Sequence, residues 1–160
     1  MSSNNWSSPL RVRPQPTLTI AKSELTRTKI LNAALDFLWT HPFRDMTVSS
    51  LMAATGVSRS AFYQYFKDVR VVMKALLDIS QEEIFATSNP WLKGIGDPVA
   101  LLRESLSGLV DLCYDRGPIF KAVADAATTD ERFEKTWRQF LGGFDDSACV
   151  RIEADKAQGL

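Results

Sequence analysis

Arg59, Ser60, Tyr63 and Gln64 fall within six residues that contain no carboxylate. Side chains of these types contact phosphate oxygens and base edges, and a face without acid does not repel a polyanion. The first acid beyond them is Asp68, and Lys67 and Arg70 on either side of it add two cations. A helix face that merely meets water usually shows Glu and Lys instead. Phe62 and Phe66, four residues apart, define the opposite side of the same helix, with Ala61 and Tyr65 at its flanks. The competing reading of this pattern is an aromatic-rich core helix in an all-α protein.

The elements before this helix favour the surface reading. Thr47 is a candidate N-cap, since its hydroxyl can accept from a free amide of a first helical turn. Leu51, Met52 and Ala54 give the helix after it a small apolar face, and Gly56 stands where a helix ends in a left-handed residue. Val57 is placed to fill the angle of the turn, and Ser58 caps the next helix. Two capped helices joined through a glycine describe a helix-turn-helix. An earlier helix over Ser23–Thr40 repeats Ile30, Ala33, Ala34, Phe37 and Leu38 at helical spacing. His41-Pro42 ends it, because a residue before proline avoids the α region. His41 is the one histidine, and its place at a helix end suits capping or exposure rather than catalysis. Arg27 and Lys29 near the start of this helix can meet a phosphate or simply be solvated.

The stretch TVSSLMAATGVSRSAFYQYFKD, preceded by TRTKILNAALDFLWTHPFRDMTV, resembles the DNA-binding domain of TetR-type transcriptional repressors. The spacing from Ile30-Leu31-Asn32-Ala33-Ala34 through Thr47-Val48 to Phe62-Tyr63-Gln64-Tyr65-Phe66 fits without gaps. The resemblance implies that the helix from Ser58 to Phe66 enters the major groove. Arg59 is the candidate for a bidentate guanine contact, with Ser60, Tyr63, Gln64 and Tyr65 near bases or backbone, and Arg27, Thr47, Ser49, Lys67 and Arg70 on phosphates. One departure stands out. Many family members carry a phosphate-gripping Lys just after the residue matching Asp68, where this chain has Val69, and Lys67 and Arg70 are the candidates to substitute for it.

Composition agrees with a nucleic-acid partner for one half only. Residues 1–74 hold ten Lys and Arg against four Asp and Glu, and residues 75–160 hold nine against fifteen, so a formal net charge of zero conceals a basic half and an acidic one. At 160 residues and 45% hydrophobic the chain can bury a real core. Cys113 and Cys149 have no metal or redox spacing and are expected as free thiols. No apolar run approaches the roughly 20 residues of a membrane span, and residues 1–22 lack the apolar region of a signal peptide. The expectation is a cytoplasmic protein with no membrane partner and no cofactor. A single His, no Gly-rich phosphate loop and no nucleophile paired with a base argue against an enzyme.

The expected organisation is a disordered, Ser-, Asn- and Pro-rich tail over 1–22, a DNA-binding domain over 23–74, and a helical effector-binding domain over 75–160. The tail admits a second reading, a basic arm for the minor groove. A long helix from Asp68 to about Thr87 leads into a loop begun by Asn89-Pro90. Asp97 caps the next helix with Pro98 at its first position, and Val99, Leu102, Leu106, Leu109, Val110, Cys113 and Tyr114 give it a wide apolar face. Arg116-Gly117-Pro118 stops it, a shorter helix covers Ile119–Ala127, and Asp130 caps a last helix from Glu131 to about Ala157. No strand signal and no repeat occur, so the fold class is all-α.

The stretch RGPIFKAVADAATTDERFEKTWRQFLGGF and the ending ACVRIEADKAQGL resemble the effector domain of EthR-like repressors within the same family. That resemblance implies a pocket for a small apolar effector, faced by Trp137, Leu141, Phe144 and Ala148 from the last helix and by Val110 and Tyr114 from the first. Aromatics at helical spacing are equally what an ordinary core contains. The resemblance also implies two further long helices that form a homodimer, whereas this chain stops at Gly159-Leu160. The expectation is therefore an incomplete helical domain with apolar faces left uncovered. Two functions follow: a DNA-binding regulator, a repressor released by a small apolar effector, acting on a double-stranded operator; or an interaction module that no longer holds operator DNA productively.

Overall fold

The computed structural model describes residues 22–94, 96–157 and 159, and every regular element among them is helical. The tail expected over 1–22 lies outside these residues except for Lys22, which opens the first helix. Helix α1 (Lys22–Thr40) buries Ile30, Ala34 and Leu38 of the expected stripe together with Leu31 and Leu35, while Ala33 and Phe37 are only half-buried at its edge. It ends at Thr40, ahead of the His41-Pro42 pair, and the exposed His41 ring stacks on Phe37 with centroids 4.6 Å apart. A 3-10 turn over Phe43–Asp45 brings the buried Met46 beneath the chain. Helices α2 (Val48–Thr55) and α3 (Arg59–Tyr65) follow, and α1, α2 and α3 pack on one another.

The chain forms two compact units that divide between Val72 and Met73, inside helix α4 (Val69–Lys93). The core of the first unit is made by the buried residues of α1 together with Met46, Leu51, Phe62, Phe66 and Val72. Phe62 is fully buried, and Phe66, with its ring 6.0 Å away, is nearly so.

Two sequence-based boundaries are corrected. The long helix does not end near Thr87: it runs to Lys93 with Pro90 inside it. Helix α5 (Pro98–Ala127) is likewise one element with Pro118 inside it, rather than two helices broken at Arg116-Gly117-Pro118. An internal proline removes one backbone hydrogen bond and crowds the carbonyl four residues earlier. Those carbonyls belong to Ala86 and Tyr114, both on exposed residues where water can take the freed acceptor. Beyond Pro118, the buried Ile119, Ala122 and Val123 hold the helix in place.

A third correction concerns which side of α5 is inside. Val99, Leu106, Val110, Cys113 and Tyr114, expected as its apolar face, are exposed, Tyr114 at 73%. The buried side runs instead through Ser105, Arg116, Ile119 and Val123, with Leu109 and Leu112 half-buried between them. Two features select it. Gly108 lets α4 approach so closely that a Cβ there would lie 2.6 Å from Thr87 Cγ2. Arg116 donates from Nε and Nη2 to the two carboxylate oxygens of Glu83 on α4, each at 2.7 Å. Such a planar two-bond pair fixes register as well as charge. The hydrogen bonds that Arg116 donates to the Glu83 carboxylate raise the Arg116 pKa above its ordinary value, against the opposing effect of burial.

Helix α6 (Glu131–Ala157) packs along α5, with its start tied down by Asp130, whose carboxylate accepts from the Arg132 amide at 3.0 Å. Phe133 is buried, while Trp137, Phe140, Phe144 and Ala148 are half-buried. Cys113 and Cys149 are free thiols, and both are exposed.

Phe62→Ala removes the side chain that anchors α3, and is expected to destabilise the first unit by about 3–5 kcal/mol. Gln64→Ala, on the exposed side of the same helix, should stay within about 0.5 kcal/mol. Denaturant unfolding followed by helical circular dichroism checks both.

Candidate nucleic-acid interface and effector pocket

The turn between α2 and α3 is held by side chains that return to the backbone. Thr47 and Ser50 form a reciprocal cap: the Ser50 amide donates to Thr47 Oγ1 at 3.0 Å, and the Thr47 amide donates to Ser50 Oγ at 3.1 Å. Thr47 therefore caps α2, with its exposed hydroxyl part of the helix start. Gly56 takes φ +68°, the left-handed conformation, and donates its amide to Met52 O at 2.9 Å. Thr55 Oγ1 donates to Leu51 O at 2.7 Å and accepts from the Val57 amide at 3.2 Å, which draws the half-buried Val57 into the turn. Of the apolar face expected on α2, Leu51 is buried and Met52 half-buried, but Ala54 is exposed.

Ser58 starts α3 by accepting from the Ala61 amide at 3.2 Å, and Ser60 Oγ lies 3.2 Å from Ser58 Oγ. With Phe62 and Phe66 inside, Arg59, Ser60, Tyr63 and Gln64 are exposed, and Tyr65 is half-buried at the flank. Arg59 and Tyr63, and likewise Ser60 and Gln64, are four apart and so neighbours on the helix surface. Ser49 in the first turn of α2, and Lys67 and Arg70 after α3, are also exposed. Asp68, the first acid after the cluster, accepts from the Val71 amide at 3.0 Å and so caps α4.

Arg27 has a role that spacing did not reveal. Its guanidinium carbon lies 5.7 Å from the centroid of the Phe66 ring, so the cation reaches from α1 to the end of α3. Thirty-nine positions separate the two residues, and no periodicity links them.

The second unit contains a pocket of about 150 Å³ bounded by α4, α5 and α6. Leu141 and Phe144 line it with Ile84, Phe85, Leu109 and Phe140, and Gln81 and Asp145 are its polar groups. Val110 and Tyr114 do not line it. They sit on the exposed side of α5 in a separate depression with Leu109 and Cys113, because one residue along a helix turns a side chain by roughly 100°. Trp137 lies outside the lining, stacked on Phe140 at 5.3 Å with ring planes 12° apart, and Ala148 lies beyond it along α6.

Among the described residues, no helix is long and apolar enough to cross a membrane, and no group of three or more His, Cys, Asp or Glu is placed to hold a metal ion. Residues 30–76 match the family model described as bacterial regulatory proteins, tetR family, a description of regulators rather than enzymes. The nucleoid occlusion factor SlmA of Marinobacter nauticus is 29% identical over 138 residues, which cover 84% of this chain and 70% of that relative. The capped helix pair and its carboxylate-free outer face thus lie within the stretch that is similar to the tetR family of bacterial regulatory proteins, and a helical second unit follows it.

Proposed function

We propose that this protein is a sequence-specific transcriptional regulator that acts as a repressor and is released from its operator by a small, largely apolar effector. The observation that carries the reading is the outer face of α3, where Arg59, Ser60, Tyr63 and Gln64 are exposed with no carboxylate among them. In the proposed mechanism α3 lies in the major groove and Arg59 donates two parallel hydrogen bonds to a guanine edge. Ser60, Tyr63, Gln64 and Tyr65 contact bases or backbone beside it. Thr47, Ser49, Arg27, Lys67 and Arg70 hold phosphates and fix the register.

The effector part of the proposal is supported by the aromatic-lined pocket of the second unit. Helix α4 starts four residues after α3 ends and supplies Gln81, Ile84 and Phe85 to that pocket. A guest releases DNA only by its differential affinity: it must bind a conformation in which the recognition helices are misplaced better than the conformation that holds the operator. A homodimer would set two copies of α3 about one helical turn apart on a near-palindromic site. The exposed apolar residues of α5, Val99, Leu106, Val110 and Tyr114, support self-association.

On an operator selected from randomised duplexes, Arg59→Ala is expected to cost about 1–3 kcal/mol and to relax preference at one base position. Equal loss on every duplex overturns the base contact. Lys67→Ala should weaken all duplexes alike and reduce the slope of log affinity against log salt by about one unit. Leu106→Glu is expected to shift the solution mass from dimer toward monomer, read by light scattering. A parent protein that remains monomeric with operator duplex present overturns the dimeric part of the proposal.

A further inference from the structure

We infer that the pocket of the second unit takes a small organic cation: an ammonium group on a single aromatic ring or a branched alkyl body. This rests on the effector reading above and names the chemical class of the ligand. Six of the eight lining residues are apolar, and three of those are phenylalanines, Phe85, Phe140 and Phe144. The remaining two are Gln81 and Asp145, so the lining contains one carboxylate and no Lys, Arg or His.

Asp145 is set apart by its place in the lining, since Glu131, Asp146 and Glu153 on the same helix are likewise without an ion pair among the described residues. Glu134 pairs with Arg138, Asp155 with Arg151 and Glu83 with Arg116, each a carboxylate of the helices that bound the pocket. The Asp145 carboxylate has no ion pair and no hydrogen bond among the described residues, although its helix holds five basic side chains, Arg132, Lys135, Arg138, Arg151 and Lys156. An unpaired negative charge at the edge of an apolar cavity favours a guest that brings the opposite charge and repels an anion. The negative faces of three phenyl rings act in the same direction, since a cation is drawn to an aromatic face. Size limits the body of the guest. A cavity on the order of 150 Å³ accepts benzene, so the buried part is one ring or its aliphatic equivalent, with the ammonium left toward Asp145 and Gln81.

The test uses the full chain and three ligands of similar shape: phenethylamine, 2-phenylethanol and 3-phenylpropanoate, titrated at neutral pH by calorimetry. The amine is expected to bind at least tenfold more tightly than the alcohol, and the carboxylate more weakly than either. Asp145→Asn, a change at an exposed position, is expected to bring the amine down to the level of the alcohol and leave the alcohol unchanged. An alcohol that binds as well as the amine, or an amine indifferent to Asp145→Asn, overturns the charge assignment while the pocket stands. Failure of all three ligands at millimolar concentration overturns the pocket itself. Operator affinity measured with the amine bound separates the two levels: no change there removes effector release but leaves the ligand class intact.

Discussion

A helix of seven residues has too few internal hydrogen bonds to hold itself together in water. The existence of α3, and therefore of its outer surface, depends on the burial of Phe62 against the first unit's core. Phe66 extends that anchor to the residue that ends the helix, and Arg27 covers its ring from α1. Once both phenyl rings are inside, the 100° step between residues leaves no freedom about which side chains face out. The caps at Thr47 and Ser58 and the left-handed Gly56 then set where each helix begins and how sharply the chain turns. The chemistry at the surface is thus a consequence of packing beneath it.

The second unit is organised by polar and small residues rather than by its most hydrophobic stripe. The Glu83–Arg116 pair and the absence of a side chain at Gly108 decide which face α5 turns toward α4. A buried ion pair adds little net stability over an apolar replacement, but it penalises any register that leaves one charge alone. The same arrangement places Leu109 toward the pocket and turns Val110 and Tyr114 away from it. Ligand contact and surface stickiness are therefore assigned to adjacent residues by one helical rotation.

The first unit was legible because its signals are local. A cap, a glycine at a helix end and two phenylalanines four apart all act within a few residues, and each took its expected role. The second unit was less legible because its determinants lie between helices. Apolar periodicity on α5 pointed to Val99, Leu106, Val110 and Tyr114, while Ser105 and Arg116 disguised the side that is buried. Pro90 and Pro118 read as breaks, yet each sits where the displaced carbonyl belongs to an exposed residue and the helix continues. The resemblance implied a pocket role for Leu141 and Phe144, but Gln81, Ile84 and Phe85 come from a helix whose pocket role no spacing announced.

The division of α3 into an inner and an outer set also bears on how such a gene can diversify. Arg59, Ser60 and Gln64 share no position with the two phenylalanines that anchor the helix, and of the outer set Tyr63 alone has a ring contact with the core, edge-on to Phe62 at 5.5 Å. Exchanges at surface positions of this kind usually alter folding by no more than about 0.5 kcal/mol. After duplication, two descendants could drift toward different target sites while inheriting the same scaffold, with little selection against the intermediates.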